Sequence, residues 1–256
     1  MYEITRRTLT RVRMLRLLDE LESATGPAVS LYLPPGRTAA QARALLNTAL
    51  GDEGPPEDMG ERMLESPTGA ILFWGESYRI LVLPPFPVTE ERLASGYEVG
   101  LLRALLQQDL TLALILIRLG AYAIGVYQGD RLVASTGGTG LVHGRHRAGG
   151  QSQRRFERHR EKQMEYFFER VCGHIREMIE QRLSQIDYVL YGGERNTLLA
   201  FLKQCRFAQQ LDSRTLERVL DIREPRQATL FKAVDQAWGS RVLEWENRLS
   251  TDGADG

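Results

Sequence analysis

Apolar positions recur along this chain in two rhythms, and the rhythm changes often. Leu9, Val12, Leu15 and Leu18 return at helical spacing, which predicts a first helix over residues 5–24, ended by Thr25, Gly26 and Pro27. The run AVSLYL at 28–33 predicts a short strand stopped by Pro34, Pro35 and Gly36. A helix follows over 37–50, with Ala40, Ala44, Leu45 and Ala49 on one side. Residues 51–60 are acidic and rich in Gly and Pro, and read as a loop. Two apolar runs at 70–74 and 78–83 form a hairpin around Gly75, Glu76 and Ser77. Pro84, Pro85, Phe86 and Pro87 then make a stiff connector, read as a domain boundary, and a helix is expected over 90–108.

Past that point the rhythm shortens to strands at 112–117, 121–127 and 131–135, separated by tight turns. A glycine-rich loop over 137–150 precedes a long helix from about Ser152 to Leu183. Further expectations are a strand at 186–191, a helix at 196–204, a short strand at 219–222 and a closing amphipathic helix at 226–249. Helices and strands alternating on both sides of residue 110 predict an α/β protein with a mixed sheet flanked by helices. The expected domains are a smaller N-terminal α/β region at 1–84, a main domain at 85–250 and a disordered tail at 251–256.

The long helix has two unlike halves. Met164, Phe167, Phe168, Val171, Ile175, Met178 and Ile179 draw a clean apolar stripe, whereas residues 152–162 hold only Phe156 among charged side chains. Such a helix packs on a sheet late and projects from the body early. The glycine turn before it then sits at the end of a protruding arm.

Composition adds limits. Apolar residues make up 43% and charged residues 26% of the 256, as in an ordinary water-soluble globular protein. No apolar run approaches the roughly 20 residues of a membrane span. Cys172 and Cys205 form no CxxC pattern, and two cysteines in a chain this long argue for a reducing compartment and against a disulfide scaffold. The arginines at 6, 7, 11, 13 and 16 mimic an organellar presequence, but Asp19, Glu20 and Glu22 continue the same helical pattern, so the expectation is a cytoplasmic protein.

Charge then picks out one stretch. The chain has a formal net charge of zero, yet HGRHRAGGQSQRRFERHREK at 143–162 sets seven Arg and Lys residues against Glu157 and Glu161. Positive charge gathered around a flexible turn suits a polyanion. At the turn, Gly149 and Gly150 permit positive φ and carry no Cβ, so backbone N–H groups can approach a substrate closely. The amide of Gln151 is a poor base, but it can place a water, and its N–H can donate to a developing oxyanion. Proton transfer must then come from elsewhere, for instance a ribose hydroxyl of the substrate. Arg145, His146, Arg147, Arg154, Arg155 and Arg158 supply positive charge for phosphates, and Ser152 supplies a helix cap and the positive end of the helix dipole.

A Gly-Gly-Gln tripeptide arises by chance in roughly one chain in twenty of this length, so the surroundings decide its meaning. GGQSQRRFERHRE followed by a long helix, and preceded by three strands, resembles the catalytic loop and following helix of the eukaryotic and archaeal type of peptide-chain release factor. Upstream, PPFPVTEERLASGYEVGLLRALLQQDLTLALILI resembles the entry to that family's central domain; downstream, IDYVLYGGERNTLLAFL resembles its next strand and helix. The likeness covers roughly residues 84–240. The chain is also similar to the shorter release-factor-like proteins of ribosome rescue and quality control, the Vms-like and bacterial release-factor-like groups. The resemblance implies that Gly149, Gly150 and Gln151 form the peptidyl-tRNA hydrolysis motif, with Ser152, Arg154, Arg155, Phe156 and Arg158 in its supporting segment. It implies a release-factor central-domain-like fold, action at the peptidyl-transferase centre of the large ribosomal subunit, and no metal or organic cofactor. Residues 1–84 hold no NIKS-like codon-reading segment, and no domain of the kind that binds a translational GTPase is evident. Rescue without stop-codon decoding is therefore the expected job.

Two alternatives share the basic arm: a nuclease cutting the tRNA near its CCA end, and a non-catalytic ribosome-binding protein. Other motifs are weaker. His143 and His146 lack a second ligand pair for zinc. Gly138, Gly140 and Gly144 have the wrong spacing for a dinucleotide site, and there is no Walker A sequence. Gly192 and Gly193 before Glu194, Arg195 and Asn196 read as a tight strand-to-helix turn.

Overall fold

The N-terminal residues pair as a strand before they coil as a helix. In the computed structural model, which describes residues 2–51, 58–140 and 151–247, β1 spans Tyr2–Leu9 and α1 spans Arg11–Ser23. Thr10 divides them, its side chain accepting a hydrogen bond from the Arg13 N–H at the start of α1. The expected helix over 5–24 is thus corrected at its first half. Val12, counted on the apolar stripe, is 67% exposed, and the buried stripe is Met14, Leu17, Leu18 and Leu21.

The partner of β1 comes from the far end of the chain. β10 (Ser240–Asn247) runs antiparallel to β1, Leu9 facing Ser240 and Ile4 facing Trp245, and antiparallel to β4 (Arg79–Leu83) on its other side. The closing helix expected over 226–249 is therefore only α8 (Leu230–Ala237). The remainder is a strand because Val242 and the pair Leu243 and Trp245 face opposite sides of the sheet and both sides are covered. The full order of this sheet is β1-β10-β4-β3-β2-β5, with β2 at Ala28–Leu33, β3 at Ala70–Gly75 and β5 at Arg92–Ser95. β2 and the β3–β4 hairpin stand where the sequence pattern puts them. β5 does not: it interrupts the helix expected over 90–108, pairs Leu93 with Leu31, and ends at Gly96 with φ +77°. The helix there is delayed to α4 (Gly100–Gln107).

α1 and α4 cover one face of this sheet, over Phe73, Ile80, Val82 and Val242. α2 (Ala39–Leu50) and α3 (Met59–Leu64) cover the other, over Leu31, Leu72, Leu81 and Trp245. The chain divides into two compact units, one of Met1–Gln108 with Trp238–Gly256 and one of Asp109–Ala237. The prolines at 84–87 lie inside the first unit and do not mark its edge. Phe86 is buried edge-on against Trp238 at 4.8 Å, and the Thr68 hydroxyl donates to the Pro84 carbonyl.

In the second unit the expected three strands are β6 (Thr111–Arg118), β7 (Ala121–Gln128) and β8 (Arg131–Thr139), an antiparallel meander. β9 (Tyr188–Gly193) lies parallel to β6, giving a mixed sheet in the order β8-β7-β6-β9. It is reached through α5 (Gln151–Ile179) and a 3-10 turn at Glu180–Gln185. α5, α6 (Arg195–Gln204) and α7 (Arg206–Gln209) cover one face, over Ala113, Ile115, Ile117 and Ile124. Leu230 of α8 packs against Gly125 on the other. The expected strand at 219–222 is a single bridge, Leu220 to Gly192. The α/β class with a mixed sheet flanked by helices is as expected.

Tyr127 of β7 is fully buried, and its hydroxyl finds no partner among the described residues. Burial, with a smaller push from the Asp235 carboxylate, raises its pKa from 10 to about 12. Folding favours the protonated phenol, so its contribution to stability is complete below pH 10 and is lost as the pH rises from 10 through 12. Tyr127→Phe is expected to leave urea stability at pH 7 unchanged or raised, because it deletes an unpartnered hydroxyl. At pH 11 the variant is expected to outlast the parent protein in the same titration.

Candidate functional site

The glycine-rich segment leaves the sheet from β8. The expected loop over 137–150 begins later than its glycines suggest, because Gly137 and Gly138 remain in the strand. Gly138 faces Tyr122 across the ladder, and a Cβ there would meet the Tyr122 hydroxyl at 3.0 Å and its ring at 3.1 Å, so that side chain covers the glycine from the neighbouring strand. At Gly140 a Cβ would meet both Phe167 and the Arg170 guanidinium at 2.8 Å. Arg170 donates to the Thr139 carbonyl at 2.6 Å and lies over the rings of Tyr122 and Phe167. Tyr122 also stacks on His174, 5.5 Å between centroids. The end of β8 is thus pinned to the middle of α5.

Below that pin α5 is rooted. Phe167, Phe168, Val171, Ile175 and Ile179 are buried on the sheet and on α6, with Phe168 against Phe201 at 5.8 Å. Cys172 and Cys205 form a disulfide between α5 and the end of α6. The sequence argued against a disulfide scaffold; packing brings together two cysteines 33 residues apart, which spacing cannot foresee. Cys172 therefore offers no thiolate to a metal here. Among the described residues no cluster of His, Cys, Asp and Glu is arranged for one.

Above the pin α5 leaves the core. Arg155, Glu157, Arg158, His159, Glu161 and Lys162 are all exposed. At 1.5 Å per residue, Gln151 stands about 24 Å along the helix axis from Phe167, the first fully packed position. The two-halved helix expected from the stripe is the helix observed. Its polar half is sorted by sign. Arg155, Arg158, His159, Lys162 and Tyr166 recur at intervals of three and four and share one face, while Glu157, Glu161 and Glu165 follow a neighbouring line. Tyr166, 68% exposed, is an aromatic ring on that basic face. Its i, i+4 spacing from Lys162 was visible in the sequence. Arg170 gave no such signal, since its partner Thr139 lies 31 residues away.

The helix starts at Gln151, one residue before the expected Ser152, so Ser152 stands in the first turn. The first four N–H groups of such a helix have no intrahelical acceptor and carry the positive end of the dipole. Of the expected site residues, Arg155 and Arg158 are exposed on this helix, and Gln151, Ser152 and Arg154 belong to its opening turn. Arg145, His146, Arg147, Gly149 and Gly150 lie outside the described residues. The other glycine pair is a strand-to-helix turn, as expected. A Cβ on Gly193, φ +122°, would collide with the Ile117 carbonyl, and Thr197 donates to the Glu194 side chain at 2.7 Å to open α6.

Residues 110–243, just over half of the chain, match the family model described as the Actinobacteria/chloroflexi VLRF1 release factor. The chain belongs to that family. It is similar to peptide chain release factor subunit 1 of Aeropyrum pernix, 29% identical over 198 residues, which is 65% of this chain and 52% of that one. The same factor of Thermoplasma acidophilum is 24% identical over 227 residues, 77% of this chain and 54% of that one. The chain spans about half the length of these curated relatives. Among solved structures it is similar to an archaeal translation termination factor, aRF1, at 20% identity and a TM-score of 0.41, covering 90% of this chain and 70% of that one. It is also similar to Archaeoglobus fulgidus Pelota, at 8% identity and a TM-score of 0.31, covering 92% and 64%.

Two residues two positions apart on α5 are expected to behave in opposite ways. Phe168→Ala empties a buried site between α5 and α6 and is expected to cost about 3–5 kcal/mol in urea unfolding. Tyr166→Ala is expected to stay within about 0.5 kcal/mol of the parent in the same measurement.

Proposed function

We propose that this member of the VLRF1 release-factor family acts on the ribosome as a peptidyl-tRNA hydrolase that clears stalled ribosomes or large subunits without reading a stop codon. One observation supports this above the rest: the glutamine of the Gly-Gly-Gln tripeptide stands at the head of a 29-residue helix on which Arg155, Arg158 and Lys162 are exposed and whose later turns are rooted in the core. A rooted helix is a stiff carrier. It can insert its tip into a narrow RNA-lined channel such as the peptidyl-transferase centre and hold it there.

In this reading Gly149 and Gly150 allow the backbone close to the ester that joins the peptide to the terminal adenosine. The Gln151 side chain orients the attacking water, and the N–H groups at the helix start face the oxyanion that develops. Gln151 neither gives nor takes the proton; a ribose hydroxyl of the substrate does. Arg145, His146, Arg147, Arg154, Arg155 and Arg158 meet RNA phosphates, with Ser152 at the head of the helix. Attack of water on the ester carbonyl releases the peptide as a carboxylic acid and leaves the tRNA with its 3′ hydroxyl.

The test is peptide release from purified ribosomes carrying labelled peptidyl-tRNA and an empty acceptor site, with the tRNA run on a sequencing gel. Release with full-length tRNA is expected, and Gly150→Ala and Gln151→Ala are each expected to slow it by about 10²-fold or more, the cost of misplacing a positioned group. Shortened tRNA would instead identify a nuclease. Retained ribosome binding with no release from the parent protein would reduce the arm to an anchor.

A further inference from the structure

The first unit carries a pocket that the arm does not need. Arg6 and Thr8 of β1, and Arg241 and Leu243 of β10, share one face of the six-stranded sheet. Thr8 pairs with Arg241 and Arg6 with Leu243, while Arg241 also faces Leu83 of β4. With Glu65, at the end of α3, they line an open cavity of about 200 Å³. Arg7, between Arg6 and Thr8, also borders the cavity, but its guanidinium is taken up by Glu244 at 2.9 Å. Arg6 and Arg241 have no ion pair among the described residues.

Among the described residues the charges around the pocket leave it positive. Asp58, whose pKa is lowered first by the Arg62 hydrogen bond and more weakly by Arg6, is already paired with Arg62. Glu65 is the one carboxylate among the lining residues, against three arginines, Arg6, Arg7 and Arg241, of which Arg7 is paired with Glu244. Arg6 and Arg241 are diagonal neighbours across the β1–β10 ladder, roughly 7–8 Å apart at the backbone. Like charges at that spacing with no anion between them oppose the pairing that holds β10 in the sheet. An anion seated between them reverses the sign of that interaction. Guanidinium forks match the oxygens of a phosphate, and the Thr8 hydroxyl adds a donor on the same face. The volume is below the roughly 300–1,000 Å³ of a pocket for a whole small molecule, which suits one phosphate with a sugar resting on Leu83 and Leu243.

We propose that Arg6, Thr8 and Arg241 bind a phosphodiester of RNA, giving the first unit an RNA contact of its own. The choice of RNA as the source of the phosphate rests on the translational reading above; the site itself does not. The contact anchors the protein through a strand pair that joins the two ends of the chain.

The test uses the full chain and free ligands, so that it is independent of hydrolysis. Side-chain Nε–Hε signals of Arg6 and Arg241, assigned by substitution, are followed while a short single-stranded RNA, adenosine monophosphate or inorganic phosphate is added. Fluorescence anisotropy with the same RNA, labelled, gives affinities over a range of salt. RNA is expected to move both signals. The double variant Arg6→Ala with Arg241→Ala is expected to bind roughly tenfold more weakly, with the slope of log affinity against log salt reduced by about 0.7, the value for one phosphate of a single strand. Arg92→Ala, on β5 at the opposite edge of the sheet from β1 and outside the cavity lining, is the control and is expected to bind like the parent. Movement with the monophosphate but not with RNA would overturn the RNA assignment. Silence with all three ligands, or equal weakening in Arg92→Ala and in the double variant, would overturn the pocket. None of these results bears on Gln151, whose release assay is separate.

Discussion

The polar half of α5 (Gln151–Ile179) depends on how its other half is seated. The later turns bury an aromatic and aliphatic stripe from Phe167 to Ile179 against the sheet and α6, while Arg155, Arg158, His159 and Lys162 before them are exposed. A free helix of a dozen polar residues is marginal in water, because nucleation is costly and propagation gains little. Here the nucleus is supplied by the packed half, so each added turn toward Gln151 extends a helix that already exists. The Arg170 bond to Thr139 and the covalent tie from Cys172 to Cys205 hold the same root from two sides. Stiffness at the tip is thereby built from contacts more than twenty ångströms away, by a rise of about 1.5 Å per residue.

That arrangement separates two demands that conflict within one segment. A charged surface must stay open to water, and a surface that holds a fold must be apolar and closed. Along α5 the two are placed in series rather than on opposite sides alone. Within the exposed half, sorting by sign gives a further division, Arg155, Arg158 and Lys162 on one line and Glu157, Glu161 and Glu165 on another. The acids offset the charge that would otherwise accumulate along the helix, at the side away from the basic line.

The first unit is built on the opposite plan. Its six-stranded sheet is closed by a strand from the far end of the chain, so its order is fixed by long-range pairing: β10 lies between β1 and β4. Two faces are covered by separate helix pairs, and the arginines of β1 fall on both faces according to the pleat, Arg7 toward Glu244 and Arg6 toward the open cavity. A run of arginines that looks uniform in one dimension thus becomes one residue paired with Glu244 and one with no ion pair among the described residues.

How much could be read without coordinates follows from the range of the interactions involved. The stripe from Met164 to Ile179, the three-strand meander, the β3–β4 hairpin and the tight turn at Gly193 were all legible, because each depends on neighbours within a few residues: a helical period, an alternation, a glycine before a cap. The tripeptide and its basic flank were legible as chemistry for the same reason. The strand at Tyr2–Leu9 was not, since Leu9, Val12 and Leu15 also satisfy a helical period, and only β10, over 230 residues away, resolves the ambiguity. β5, the disulfide of Cys172 with Cys205, the Arg170 pin and the cavity beside Arg6 were invisible for that reason too. The sequence by itself determined which segment gathers the positive charge and which half of the long helix is buried, because composition and periodicity are local. Only the tertiary structure decided which ends of the chain meet, which arginine keeps a partner and where the helix is pinned, because those outcomes come from pairings between positions whose separation along the chain carries no pattern.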